Sequence, residues 1–304
     1  MKANRKTLNK SLAKTNASYE KLIERLVKWA ENRPDIRVLM IVGSRARMDH
    51  PADEWSDLDV IVVATDPRRY LSTTEWLENL GKPLLTFLEP TVGGQMERRV
   101  LFEGMLDVDF SIIPREVILR LLQGEIPPQI LEIFKRGVHV LLDKDGITSQ
   151  LYRRFSSVEL PPPHPPTERE FLEVVYDFLY HAVWTLKKIL RGELWTAKFC
   201  LDSYMKRKCM LRMIEWHAHV KRGWAYDTWF DGRFLEEWAD SDVIKELRKT
   251  FSYYDEADIK RGLLATMSLF RKISMEIAEK LNYSYPIELD KKITEWIRSF
   301  CTTS

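Results

Sequence analysis

Apolar and polar positions follow two different rhythms along this chain, and the change falls near its middle. Residues 19–32 place Leu22, Ile23, Leu26, Val27, Trp29 and Ala30 at helical spacing, with Pro34 just beyond. This predicts an amphipathic helix and its stop. Two apolar runs then read as strands, at 38–42 and at 60–63, and residues 106–113, Leu-Asp-Val-Asp-Phe-Ser-Ile-Ile, are again strand-like and ended by Pro114. Residues 73–80 look helical and are closed by Gly81, and a short apolar run covers 84–88. Helices are expected at 115–123 and 128–135, and a final strand at 138–142.

From Thr167 onward the pattern is almost wholly helical. Thr167 and Glu170 form a capping box, opening a helix with Phe171, Val174, Val175, Phe178, Leu179, Ala182 and Leu186 on its apolar face. It ends near Gly192, and a second long helix runs from about 193 to 220, before Gly223. Further helices are expected at 232–238, 243–250, 256–281 and 287–300. Between the two rhythms, residues 158–167 contain five prolines, a composition that suits an extended connector. The expected architecture is therefore an α/β domain over 1–157, with a mixed sheet and flanking helices, and an all-α helical bundle over 158–304. A cleft between them is the default ligand site.

Composition narrows the possibilities. At 304 residues there is ample length for a real core. Lys and Arg number 47 against 45 Asp and Glu, a balance too even to argue for nucleic-acid binding. Nothing approaches eighteen consecutive apolar residues, so no membrane span is expected. Lys2, Arg5, Lys6, Lys10 and Lys14 make the start basic, but no apolar segment follows them, so a solvated tail is expected and not a signal peptide. Cys200, Cys209 and Cys301 are an odd count without metal-ligand spacing, which fits reduced thiols and a cytoplasmic protein. Oligomeric state is not legible.

The candidate chemistry sits at the ends of the predicted strands. Gly43-Ser44-Arg45 directly follows the first run, and Asp57-Leu58-Asp59 opens the second. Gly43 lets backbone approach a phosphate, and Ser44 offers a hydroxyl and an N–H. Arg45 can supply a fixed positive charge or be a surface residue. Residues i and i+2 of a strand share a face, so Asp57 and Asp59 aim at one point and offer hard oxygen ligands to Mg²⁺. The third strand carries Asp107 and Asp109, again on one face. One of them can complete a carboxylate triad, as a ligand of a second metal or as the base that takes a proton from an attacking hydroxyl.

Gly-Ser-Arg, then Asp-Leu-Asp-Val-Ile-Val-Val, then Val-Asp-Phe-Ser-Ile-Ile-Pro resembles the polymerase-β type of nucleotidyltransferase, and more closely the aminoglycoside 6-adenylyltransferase (streptomycin adenylyltransferase) family. The resemblance extends through Phe102-Glu103-Gly104, the segments 166–172, 192–198 and 212–217, and the ending 281–286, so it covers almost the whole chain from about Glu24. It implies that Asp57 and Asp59 hold Mg²⁺ with the phosphates of ATP, and that Asp109, followed by Phe-Ser-Ile-Ile-Pro, completes the site in preference to Asp107. Asp107 departs from the family pattern, and residues 93–99 look divergent. The implied activity is transfer of AMP from ATP to an aminoglycoside hydroxyl, with the 6-hydroxyl of streptomycin first in line.

Lys198, within a matching segment, is a candidate for the triphosphate, and Asp202 is placed either to pair with it at i,i+4 or to face an aminoglycoside amine. Cationic acceptors call for an acidic pocket, and Glu89, Glu97, Glu103, Glu215, Asp227, Asp231 and Glu236 are the pool. Trp184, Trp195, Tyr204, Trp216, Trp224 and Trp229 suit a core, with adenine stacking on one of them as the other use. His217 and His219 cannot share a helix face, which excludes a zinc pair there. Two rival readings keep the same site. One is an adenylyltransferase acting on another small-molecule or protein hydroxyl without a role in drug resistance, and the other is a nucleotide-binding partner without catalysis.

Overall fold

A computed structural model describes residues 18–91, 94–159 and 164–301. The expected basic tail and residues 160–163 of the proline connector lie outside the described residues. The chain divides into two compact units, Met1–Leu160 and Pro161–Ser304.

The first unit is built on six strands: β1 (Ile36–Val42), β2 (Leu58–Ala64), β3 (Pro83–Pro90), β4 (Met96–Phe102), β5 (Leu106–Pro114) and β6 (His139–Asp143). Their order in the sheet is β3-β4-β5-β2-β1-β6. β2 and β5 run parallel and every other neighbouring pair is antiparallel, so the sheet is mixed. β1 and β2 are apolar on both faces because both faces are covered. On one side Leu39, Ile41, Val60, Val62, Val108 and Phe110 pack with Tyr19, Leu22, Leu26 and Trp29 of helix α1 (18–31). Trp29 stacks on Trp76 at 5.1 Å, and Trp76 meets Phe110 edge-on at the same separation. On the other side Val38, Met40, Ile61 and Val63 pack with three further helices. These are α3 (Arg115–Gln123), α4 (Pro128–Arg136) and α5 (Ile147–Ser156), and α2 (Pro67–Ser72) lies earlier in the chain.

Four local readings need correction. The helix expected at 73–80 is a 3₁₀ turn over Glu75–Asn79, and the α-helix of this stretch, α2, lies before it and starts on Pro67. Proline fixes the φ a helix start needs, so the stronger signal lay upstream. β4 was not expected, because Arg98 holds one of its inward positions. The Arg98 side chain is buried and donates to Tyr70 O at 3.0 Å, to Leu71 O and to Thr86 Oγ1 at 3.2 Å. A buried guanidinium there satisfies the carbonyls at the end of α2. α5 was missed because its cap lies upstream: the Asp143 carboxylate accepts from the N–H of Ile147 at 3.2 Å and of Thr148 at 2.8 Å. The helix expected at 232–238 is a 3₁₀ turn (Phe230–Gly232) and then a single turn of helix α9 (Leu235–Trp238).

The second unit is helical among its described residues. Thr167 and Glu170 make the expected capping box at the start of α6 (Glu168–Leu190). The next helix runs continuously from α7 (Leu194–Phe199) to α8 (Leu211–Arg222), but residues Cys200–Met210 between them wind with the wider i→i+5 pattern, which a 3.6-residue period does not foresee. α10 (Ser241–Thr250), α11 (Glu256–Leu281) and α12 (Ile287–Ser299) complete it. Phe178 of α6 stacks flat on Phe270 of α11 at 3.7 Å. Among the described residues no helix is long and apolar enough to cross a membrane.

One buried ion pair joins α11 to α12. Arg271 grips the Asp290 carboxylate with two bonds of 2.6 and 2.7 Å, and the Tyr285 hydroxyl donates to it at 2.6 Å. Burial alone would raise the Asp290 pKa, but these donors hold it below the usual carboxylate range. Arg271→Ala leaves this carboxylate buried and unpaired, so it should cost about 3–5 kcal/mol in denaturant unfolding. A loss under about 1 kcal/mol would show the pair to be dispensable.

Candidate functional site

Sheet register brings the carboxylates together. Asp59 faces Val42 at the end of β1 on one side and Asp109 of β5 on the other. Parallel pairing sets the two aspartates side by side at one level of adjacent strands. Asp57 directly precedes β2 and joins them. One carboxylate oxygen from each of Asp57, Asp59 and Asp109 lies within 4.8 Å of the others, and all three residues are partly buried.

Gly43 makes room for this arrangement. Its φ is +69°, and a Cβ there would sit 2.0 Å from Asp59 Oδ2. Gly43–Arg45 form one 3₁₀ turn, in which Gly43 O accepts from the N–H of Ala46 at 3.1 Å and of Arg47 at 3.2 Å. Gly137 (φ +143°) supports the turn from outside: a Cβ there would lie 2.3 Å from Ala46 O, so only glycine allows this approach. The Ser44 hydroxyl is buried with no hydrogen-bond partner among the described residues. A buried polar atom left in that state is uncommon and points to a missing partner.

Arg45 braces the backbone. Its Nε donates to Asp57 O at 2.9 Å and its Nη2 to Ser56 O at 2.8 Å, which ties the Gly-Ser turn to the start of β2. The same guanidinium lies 3.8 Å from the ring centroid of Tyr19. The Tyr19 hydroxyl donates to Asp107 Oδ1 at 3.0 Å. Strand parity left Asp107 and Asp109 equivalent; the structure sets Asp109 in the triad and gives Asp107 to Tyr19.

Arg99 is the residue sequence reading missed. It lies opposite Asp109 in the β4–β5 register. Its guanidinium lies 3.5 Å from Asp109 Oδ2, 2.9 Å from Glu97 and 2.8 Å from Glu89. Recognising β4 would have placed it there. Burial pushes the Asp109 carboxyl up to about 6, against the pull of Arg99 and with the help of Glu97 and Asp57.

The remaining candidates lie in the second unit. Lys198 on α7 is engaged by the Asp202 carboxylate and by Ser252 O. The i,i+4 partner expected for it is therefore present. Asp202 is shared with Lys206, a buried lysine 2.5 Å away whose ammonium also donates to Thr250 O at 3.2 Å. Of the acidic pool, Asp231 is taken by Arg207 through two bonds, and burial pushes Glu215 up to about 7.

The donor set fits a divalent cation with a phosphate ligand. Three carboxylates are hard oxygen donors of the kind Mg²⁺ takes, and the orphaned Ser44 hydroxyl stands in the adjoining turn. Asp57, Asp59 and Asp109 are the residues that would hold the ion. Ligation requires the ionised carboxylate, so Mn²⁺ or Mg²⁺ affinity should fall about tenfold per pH unit below pH ~6 as Asp109 takes up its proton. Calorimetric metal titration from about pH 5 to 8 reads this directly, and a flat profile would contradict it. Gly43→Ala should cost about 1–2 kcal/mol for the left-handed backbone and also displace Asp59, so that metal affinity drops with stability.

The sequence profile described as streptomycin adenylyltransferase matches residues 17–300. An aminoglycoside 6-adenylyltransferase of Bacillus subtilis (strain 168) is 26% identical over 289 residues, covering 92% of this chain and 96% of the relative. The protein of that name from Campylobacter jejuni is 24% identical over 295 residues, covering 92% and 94%. A crystal structure of an aminoglycoside 6-adenyltransferase from Bacillus subtilis aligns over 92% of this chain and 98% of that one, at 23% identity and a TM-score of 0.44. With a family profile spanning nearly its full length and the Gly-Ser turn and three carboxylates in place, this chain belongs to the streptomycin adenylyltransferase family of enzymes.

Proposed function

We propose that this protein transfers the adenylyl group of ATP to a hydroxyl of an aminoglycoside, with streptomycin at its 6-hydroxyl as the first acceptor to test. The observation that carries the reading is the convergence of Asp57, Asp59 and Asp109 beside a Gly-Ser turn. The names of the relatives supply the acceptor.

Mg²⁺, when bound by the three aspartates, supplies neutralisation of the ATP phosphates and of the charge that develops on departing pyrophosphate. The Ser44 hydroxyl and the N–H groups of the turn offer donors to phosphate oxygens. As the acceptor oxygen bonds to the α-phosphorus, the bond from that phosphorus to the bridging oxygen breaks and pyrophosphate leaves. With Asp57 and Asp59 holding the ion, Asp109 has one of two roles: it takes the acceptor proton on a carboxylate oxygen, or it ligates metal and the proton leaves to water. Arg45 keeps Asp57 in place through the backbone. Lys198 would have to exchange Asp202 and Ser252 O for phosphate in order to serve the nucleotide. The residues assigned to the transfer chemistry all lie in the α/β unit.

The test is pyrophosphate release with ATP, Mg²⁺ and streptomycin, followed by mass spectrometry of the drug. An adenylyl adduct is expected. Asp57→Asn and Asp59→Asn should each lower turnover by at least about a thousandfold while unfolding stays cooperative. Near-wild-type turnover in either variant would overturn the site assignment.

A further inference from the structure

The second unit contains a cavity of about 370 Å³ that the transfer chemistry does not use. His181 and Trp184 of α6, Trp195 and Phe199 of α7, and Tyr204 of the wide-wound segment are its aromatic walls. His181 lies 4.3 Å from the Tyr204 ring and 6.3 Å from that of Trp184. Trp195 is 73% exposed and Phe199 62% exposed, unusual for such large apolar groups beside a concavity.

Charge distinguishes this cavity from a gap in the core. The Asp177 carboxylate touches two of the walls: it accepts from the Tyr204 hydroxyl at 3.2 Å and lies 2.7 Å from His181 Nδ1. The lysines on the flanking turns are already neutralised, Lys188 by Glu193 at 2.5 Å and Lys198 by Asp202. The Trp184 ring already attracts a cation, because Lys188 Nζ lies 5.1 Å from its centroid. Aromatic faces present negative charge density, and a carboxylate bonded to two of the rings deepens it.

We infer that this aromatic cavity binds a planar or compact cationic group, a guanidinium or ammonium, of a small molecule. A guanidinium fits best, since it stacks on ring faces and is weakly hydrated, so it enters an apolar cavity at lower cost than an ammonium does. Trp195 and Phe199 would lose their exposure on binding, and Asp177 acts through its contacts with His181 and Tyr204. Trp195 follows Glu193 and Leu194 in a segment already legible as family-like, but the sequence did not show that its ring faces a cavity.

The experiment uses the full chain labelled with 5-fluorotryptophan, with the Trp184 and Trp195 resonances assigned from Trp→Phe variants. Agmatine, streptomycin and metal-free ATP are titrated separately and followed by ¹⁹F NMR. Agmatine and streptomycin should shift the Trp184 and Trp195 signals, and ATP should not. Phe199→Ala and Asp177→Asn should each weaken the agmatine response by about tenfold, while Asp57→Asn leaves it unchanged. Signals unmoved by both guanidinium compounds would overturn the inference, and so would signals that respond to ATP alone, which would make the cavity a nucleobase platform. Shifts without any adenylyl transfer would sink the acceptor reading and leave the cation site standing. Transfer without shifts would do the reverse.

Discussion

Asp59 Oδ2 occupies the space that any side chain at residue 43 would need. That close approach fixes the rest of the site. It forces the turn after β1 into a left-handed start, which glycine alone takes without strain. It also sets the distance between the Gly-Ser turn and the Asp59 carboxylate. Asp109 then follows from the β2–β5 register, with no freedom to be elsewhere. Three stretches distant in sequence are thus locked by one steric contact and one ladder of parallel hydrogen bonds.

Electrostatics impose a second constraint. Several carboxylates are drawn together in a partly buried place, an arrangement that costs free energy unless cations offset it. Arg99 offsets it from the neighbouring strand, bridging Glu89, Glu97 and Asp109. It does so incompletely, and the residual cost appears as the raised pKa of Asp109. Strain of this kind is useful at a metal or phosphate site, because binding relieves it. In the second unit the balance differs: Asp202 serves two lysines, and Asp290 is satisfied by arginine, tyrosine and threonine.

Much of this was legible in the sequence where one residue type has one use. β1 and most of β2 were readable as apolar runs, because strands covered on both faces carry little polar alternation. The long helices were readable from their 3.6-residue period and from the Thr167–Glu170 box. Legibility failed where a polar side chain does a core residue's task. Arg98 fills an inward slot of β4 and hid the strand, and with it the register that sets Arg99 against Asp109. Asp143 caps α5 from four residues ahead of its start. Gly-Ser and Asp-x-Asp advertised the site itself, but the brace formed by Arg45, Tyr19 and Asp107 has no local signature. It joins a helix, a turn and a strand, and depends on their arrangement in space.

That brace has a practical consequence for anyone trimming the chain. Tyr19 lies near the start of α1, yet it stacks on the arginine that holds the Asp57 backbone and bonds the aspartate two residues before Asp109. It is also fully enclosed in the core shared by α1 and the sheet. A minimal version designed by eye would begin at β1, where the run of Gly-Ser-Arg and Asp-x-Asp motifs starts. Such a version would discard the strut that holds the shape of those motifs. The engineering boundary of the α/β unit therefore falls ahead of residue 18, on the far side of a helix that contributes no residue to the carboxylate cluster.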